Sequence, residues 1–519
     1  MADDRVVIVG AGIGGLASAI DLATMGLGVT VIERAKHAGG KMREVAVGDA
    51  PIDCGPTVFT MRWVFDELFA NADAAIEDYL RLTPLQTLAR HAWSERERFD
   101  LFADSARTAD AVAEFSGPEE GRRFLGFCAD ARTIYRTLKD PFLSSSRPNP
   151  LTLACRIGLH RSSALFGIRP FETMWSALSK YFHDPRLRQL FGRYATYAGS
   201  SPFAAPATLM LIAHVEQDGV WTIEGGMQRL TEALEKLARK KGVSFRFGED
   251  VRQIIIRNRS ATAVELASGE RIDAGAVIVN ADAAALADGA FGHAAAHAGK
   301  SLPPNDRSLS AVTWAMTAET QGFELLRHNV FFSHDYAAEF DDIFERRRLP
   351  RGPTVYICAQ DRLDAASRTG PERLLMLVNA PPIGDQKQFM PEEIAACESH
   401  VFNLLERCGL LILARQVSVT TPSDFHRMFP ATGGALYGRA SHGWTAAFRR
   451  AASRTNIAGL YLASGSTHPG AGVPMAALSG RLAAMRLVSD RASIRRSLLA
   501  GMPGGISTAS ATTDALRSR

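Results

Sequence analysis

The feature that most constrains this chain lies at its start. Val6-Val7-Ile8-Val9 is a β-branched run that ends at Gly10, and the turn Gly10-Ala11-Gly12-Ile13-Gly14-Gly15 leads directly into apolar side chains at helical spacing over 14–26. A second run, Val29-Thr30-Val31-Ile32, follows at once. Strand, glycine turn, helix and strand make one βαβ unit, which demands a parallel sheet covered by helices. In such a turn Gly10 permits the tight bend, Gly12 lets backbone approach a pyrophosphate, and Gly15 lets the helix pack closely on the strand. The free N–H groups and positive dipole end at the helix start favour a phosphate. Glu33, 23 residues after Gly10, closes the second strand, where a carboxylate accepts hydrogen bonds from a ribose 2′-hydroxyl and disfavours a 2′-phosphate.

Two further segments separate a flavin nucleotide from NAD. Ala38-Gly39-Gly40-Lys41-Met42-Arg43 is a glycine pair followed by cations, which in a flavin site brings backbone and positive charge to the ribose and pyrophosphate from the other side. Ala463-Ser464-Gly465-Ser466-Thr467-His468-Pro469-Gly470-Ala471-Gly472-Val473-Pro474 precedes a helix expected over about 475–488. Small residues there let backbone approach a flat ring, Pro474 suits a first helical turn, and the helix amides would face negative charge on a reduced flavin. Asp53-Cys54-Gly55-Pro56-Thr57 reads either as a turn beneath the isoalloxazine ring or as an ordinary Gly-Pro turn. The cofactor expected is FAD, held by Gly10, Gly12, Gly14, Gly15, Glu33, Arg34, Gly40, Lys41, Gly55, Pro56, Thr57, Val251, Gly465, Val473 and Met475. No metal ligand set is expected, because the six cysteines are scattered, without a CxxC pair or histidines at ligand spacing.

At 519 residues the chain exceeds one compact core, given about 150 residues per domain. The pattern predicts a helix over 228–241 and strands at 243–247, 251–256, 261–266, 272–279 and 460–463. The stretches 75–220 and 290–455 show short helical patterns and no second βαβ signature. The expected fold class is α/β: a Rossmann-like FAD-binding domain of the glutathione reductase or amine oxidase type, assembled from 1–74, 225–290 and 455–495, with an inserted α+β substrate domain from 75–224 and 291–454. Residues 496–519, mostly small and polar, are expected to form a flexible tail. A net charge of +4 is too small over this length to indicate nucleic acid. The acidic start lacks a signal-peptide pattern, and no run reaches the roughly 18 apolar residues of a spanning helix. A cytoplasmic protein, peripherally associated with a membrane, is expected.

These segments, with Val220-Trp221-Thr222-Ile223-Glu224-Gly225-Gly226-Met227, resemble the carotenoid desaturase family of flavoproteins, of the bacterial phytoene desaturase type. The resemblance extends to 185–206 (PRLRQLFGRYATYAGSSPFAAP), 328–344 (HNVFFSHDYAAEFDDIF) and 353–364 (PTVYICAQDRLD), so it covers nearly the whole chain. Within that family THPGAGVPMAALSGR is similar to the hydroxyneurosporene and methoxyneurosporene desaturases. The resemblance implies C-3,4 desaturation of a 1-hydroxy or 1-methoxy carotenoid, with phytoene desaturation as the alternative, and oxygen or a membrane quinone as electron acceptor. One departure is visible: related flavoenzymes often carry an acid where this chain has Gly465 and Ser466, so contact with the ribityl chain falls to backbone or serine.

Desaturation beside a polyene removes a hydride from one carbon and a proton from its neighbour, and allylic delocalisation makes flavin placement and water exclusion matter more than a strong base. No compact triad is expected; His468 and Glu224 are the candidate acid, base or orienting groups. Residues 150–182 mix Leu151, Leu153, Leu159, Leu165, Phe166, Ile168, Phe171 and Trp175 with Arg156, His160, Arg161 and Arg169, the composition of a helix lying in a membrane interface or of a partly buried helix pair. A flavin amine oxidase and a non-catalytic isoprenoid-binding protein of the same fold stay open as rivals.

Overall fold

The computed structural model describes residues 4–143, 145, 149–157, 167–362 and 370–500. Its first layer is a five-stranded parallel sheet in the order Ser244–Phe247, Gly28–Glu33, Arg5–Val9, Ala276–Val279, Leu460–Leu462. The order runs outward in both directions from Arg5–Val9 and Ala276–Val279, so a crevice opens beyond the carboxyl ends of these central strands. Alternation along the first strand explains why both faces are covered. Val6 and Ile8 pack with Leu16, Ile20, Leu230, Leu234 and Ala483 of the helices Ile13–Thr24, Gln228–Lys240 and Val473–Ala500. Val7 and Val9 point the other way, onto Ile254, Val264 and Leu266 of a three-stranded antiparallel sheet.

The run 272–279, expected as one strand, is two. Arg271–Asp273 pairs antiparallel with 263–265, whereas Ala276–Val279 pairs parallel with the first strand. The chain changes sheet at Ala274 and Gly275, whose amides donate to the carbonyls of Thr262 and Arg5. The last helix, expected to end near 488, continues to Ala500. Residues 496–500 therefore belong to it, and the rest of the expected tail, 501–519, lies outside the described residues.

The second layer is a seven-stranded mixed sheet in the order Leu410–Thr420, Ser310–Gly322, Glu372–Ala380, Val355–Ala359, His328–Phe331, Thr87–Ala92, Arg98–Phe102. The helical reading of 290–455 missed its longest member. Ser310–Gly322 is buried at seven consecutive positions from Ser310 to Met316, so both faces are covered and no alternation marks it as a strand. Helices Ser105–Ser116, Pro118–Leu138 and Met174–Tyr181 form a cap around a core that includes Phe124, Phe127, Phe182 and Phe191.

Of the segment 150–182, helices Pro150–Ile157 and Met174–Tyr181 are described, while Leu159, His160, Arg161, Leu165 and Phe166 lie outside the described residues. Leu153 and Ile168 are buried in the cap core, and Trp175 packs on Phe203 with ring centroids 4.7 Å apart. Leu151 and Phe171 are left 80% and 74% exposed, and Phe171 meets the exposed Trp444 edge-on. No helix among the described residues is long and apolar enough to cross a membrane.

Candidate functional site

One cavity of about 1890 Å³ runs from the crevice of the parallel sheet into the cap. Ligand pockets are usually about 300–1,000 Å³, so this space accommodates a dinucleotide and a second long molecule together. The carboxyl ends of three parallel strands open onto it through Val9 and Gly10, Ile32 and Glu33, and Asn280 and Ala281; Ser464 continues the fourth.

The glycines of the opening turn are spent on close approach. Gly10 has φ +103°, and a Cβ there would stand 2.8 Å from the Asn280 carbonyl oxygen. A Cβ on Gly15 would stand 2.2 Å from the Gly10 carbonyl oxygen, so only glycine lets this helix start so near its strand. Gly14 borders the cavity and also meets the last helix: a Cβ on Gly480 would fall 2.1 Å from the Gly14 carbonyl oxygen. Ser18 Oγ donates to the carbonyls of both Gly14 and Gly480, at 2.8 and 3.1 Å, which pins that crossing. Gly40 adopts φ +61° beside Gly12 Cα, bringing the second glycine segment against the first.

The Glu33 carboxylate accepts from the amides of Ala11 at 2.7 Å and Ala35 at 2.8 Å, which fixes it at the strand end on the cavity wall. Arg34 donates to the Met428 carbonyl and also borders the cavity. Lys41 donates to the Leu436 carbonyl at 2.6 Å, and burial pushes its ammonium down from its ordinary pKa, against the attraction of Asp282. Arg450, which the sequence reading missed, borders the same space; burial lowers its guanidinium to about 10, again opposed by Asp282. Two desolvated cations and one carboxylate make a wall that an anionic occupant would relieve. Asn280 Oδ1 and Asp282 Oδ2 are buried beside this wall without a hydrogen-bond partner.

The turn Asp53–Thr57 is more than a Gly-Pro loop. Asp53 accepts from the amides of Met227 at 2.7 Å and Gln228 at 3.2 Å, so it caps the helix Gln228–Lys240 and takes up that helix's anion-binding end. Gly55, Pro56 and Thr57 then border the cavity; a Cβ on Gly55 would stand 2.1 Å from the Lys41 carbonyl oxygen. Thr57 Oγ1 is 2.6 Å from the Tyr356 hydroxyl, which is 2.8 Å from His328 Nδ1. Gly465, Val473 and Met475 border the cavity from the late loop, and Val251 borders it from the edge near Glu33.

The two candidate acid–base groups stand elsewhere. Glu224 is on the surface, its side chain 71% exposed and 3.8 Å from Arg81, outside the cavity lining. His468 is 1% exposed and lies behind Phe142: its Nε2 is 3.0 Å from the Phe142 carbonyl oxygen, and the rings are 4.8 Å apart. Burial holds the imidazole at about 4, so it is neutral at pH 7 and too weak a base to take a proton from carbon.

Comparison with known proteins identifies the family. Residues 13–488 match the family model described as flavin containing amine oxidoreductase. The chain is 53% identical over 513 residues to a hydroxyneurosporene desaturase of Rubrivivax gelatinosus, covering 98% of each chain. It is 42% identical over 494 residues to the hydroxyneurosporene desaturase of Cereibacter sphaeroides, covering 95% of this chain and 99% of that one. Among solved structures, an engineered triple mutant of putrescine oxidase shares the fold with a TM-score of 0.58 at 14% identity, covering 94% of this chain and 99% of that one. The chain belongs to the flavin containing amine oxidoreductase family, and it is an FAD-dependent oxidoreductase close in sequence to the hydroxyneurosporene desaturases.

Proposed function

We propose that the chain desaturates a carotenoid, introducing the C-3,4 double bond of a 1-hydroxy or 1-methoxy polyene. The observation that carries this reading is the joining of the nucleotide crevice and the apolar cap into one cavity, where Leu138, Phe142, Leu153, Leu209, Ile212 and Val215 extend the space beyond the glycine motifs. The names of the relatives support the same substrate class. In this reading 1–74, 225–290 and 455–495 carry the cofactor, while 75–224 and 291–454 carry the substrate.

Bound FAD supplies the hydride acceptor. The chain's own residues would hold and orient it: Gly10, Gly12, Gly14 and Gly15 with Gly40 and Lys41 would receive the pyrophosphate, and Glu33 with Arg34 and Val251 would flank the adenosine. Gly55, Pro56, Thr57, Gly465, Val473 and Met475 would surround the ring. One C–H bond of the substrate would give up its hydrogen as hydride, and the neighbouring C–H bond would release its proton, finally to solvent, leaving its electron pair as the new π bond. The apolar wall keeps water from the reacting carbons and confines the polyene to one orientation. Oxygen or a membrane quinone would serve as the electron acceptor. The substrate arrives from a membrane surface, for which the exposed Leu151, Phe171 and Trp444 beside the cavity lining residues Leu153, Ile168 and Pro170 are the proposed contact.

Anaerobic mixing of the yellow holoprotein with 1-hydroxyneurosporene tests the reading. Bleaching of the flavin and a product with one further conjugated double bond are expected; bleaching by an amine and not by the carotenoid would assign the chain to amine oxidation. Flotation with anionic liposomes tests the membrane contact, and a Leu151→Ser/Phe171→Ser protein that floats as well as the parent would remove it.

A further inference from the structure

Arg450 stands half-buried on the cavity wall, and among the described residues backbone alone holds its guanidinium. Nη1 donates to the carbonyls of Tyr437, at 3.0 Å, and Gly465, at 3.3 Å, and Nη2 donates to that of Arg439, at 2.7 Å. Carbonyl dipoles solvate a cation but leave its net charge in place. The nearby charges do not cancel it either. Asp282 attracts Lys41 as well as Arg450, and Arg439 is committed to Asp306 at 2.6 Å. Two cations facing one carboxylate leave one positive charge over in this wall.

Two distances set that charge against the late loop. The Gly465 carbonyl is its partner on one side, and on the other Nε is 3.8 Å from where a Cβ on Gly470 would stand. The segment that holds Arg450 closes on the same loop: Gly438 adopts φ +71°, and a Cβ there would stand 2.7 Å from Ser466 Cβ. Gly465, Gly470 and Gly472 border the cavity, and the helix Val473–Ala500 starts directly after them. The positive end of that helix dipole and the Arg450 charge have the same sign, so their fields add.

We infer that Arg450 is the counter-charge of the reduced flavin: fixed against Gly465 and Gly470, it raises the reduction potential of the bound cofactor. A hydride carries two electrons and one proton from a neutral polyene to a neutral ring, so the ring gains one negative charge. The polyene then releases the neighbouring proton to solvent, and oxygen or a quinone takes the two electrons from the ring. A hydrocarbon chain has no lone pair to expel the hydride, so the stability of the charged ring decides how far the step runs. A fixed cation in a dry wall favours that charged form over the neutral one. The inference rests on the reading above that the late loop surrounds the ring, and not on which polyene is oxidised. Arg450 touches neither reacting carbon and acts through its charge.

The test is the two-electron reduction potential of the flavin-loaded protein, read by equilibration with dyes of known potential, together with its dissociation constant for FAD. Arg450→Met removes the charge and is expected to lower the reduction equilibrium constant about 10- to 100-fold, a drop of about 30–60 mV for a two-electron couple. Arg450→Lys keeps the charge without spanning three carbonyls, and is expected to keep most of the parental potential. Asp282→Asn should move the potential the other way, by about three- to ten-fold or about 15–30 mV upward, because it removes the opposing charge. Asp282 caps the helix Ala283–Ala287 by accepting from the Ala284 amide at 3.0 Å, and Asn caps as well as Asp. That variant therefore decides the matter if Arg450→Met does not load flavin. An Arg450→Lys protein that falls as far as Arg450→Met would leave Arg450 only a loop-holding role, and an unchanged potential with weaker FAD binding would assign it to the diphosphate; either overturns the inference. Potential and FAD binding unchanged in all three variants would also take the late loop away from the ring. No carotenoid enters the measurement, so a flavin that no carotenoid bleaches overturns the desaturase reading and leaves this inference standing.

Discussion

The two halves of the cavity are built by different means. Around the parallel sheet the turn itself is close-packed backbone, where Gly10, Gly15 and Gly40 bring main chain to main chain, and the charged side chains of Glu33, Lys41 and Arg450 stand around it. In the cap and under the mixed sheet the wall is side chain: Arg193, Tyr194, Tyr197 and Glu216 form one buried network, and Thr57, Tyr356 and His328 form another. A backbone wall tolerates no added atom and recognises a nucleotide common to many enzymes. A side-chain wall can be rewritten one residue at a time, which is where discrimination between similar polyenes belongs.

The largest test of this contrast is Gly15→Val. Its Cβ would meet a backbone oxygen at 2.2 Å, which cannot move aside, so we expect colourless protein and a loss of roughly 4 kcal/mol or more in urea unfolding. A yellow, stable variant would show that this wall yields after all. In the side-chain half, burial raises Glu339 to about 7 although it accepts from the Thr354 amide and hydroxyl and from Asn379. The folded protein then keeps a proton that the unfolded chain releases above its ordinary 4.5, so this group's contribution is fully present below pH 4.5 and declines as pH rises to 7, by roughly 3 kcal/mol. Glu339→Gln should flatten that part of the stability profile; an unchanged slope would mean that the carboxyl ionises freely in the fold.

A smaller effect is expected from Lys41→Met, which removes the buried ammonium but fits its volume. FAD affinity should fall about ten-fold, as for loss of one charge-assisted contact, read by titrating apoprotein with FAD. The smallest is Glu224→Ala, whose side chain is 71% exposed: stability should stay within about 0.5 kcal/mol and turnover should not change. A large loss of turnover would return Glu224 to the chemistry.

The same contrast explains what the residues revealed before any coordinates. Gly10 to Gly15 and Glu33 were legible because a turn, its strand and its helix are adjacent in the chain and each glycine has a local reason. The opposite holds for Thr57 and Tyr356, which meet across 299 positions, and for Arg193, whose meaning depends on which side chains surround it. Ser310–Gly322 hid for another reason: covered on both faces, it lacks the alternation that betrays a strand. Asp53 looked like part of a cofactor loop, and only the fold shows it bound to the amides of Met227 and Gln228 as a helix cap. His468 drew attention as a titratable group among glycines, yet burial holds it neutral.

The crossing of Gly14 and Gly480 has a consequence for biogenesis. The opening turn is synthesised long before the helix Val473–Ala500 that packs against it. A nascent chain halted before residue 473 would expose the turn without this packing partner, so loading of the nucleotide belongs after that helix has been made. Expression under flavin starvation should then accumulate an apoprotein that takes up the nucleotide when it is later supplied.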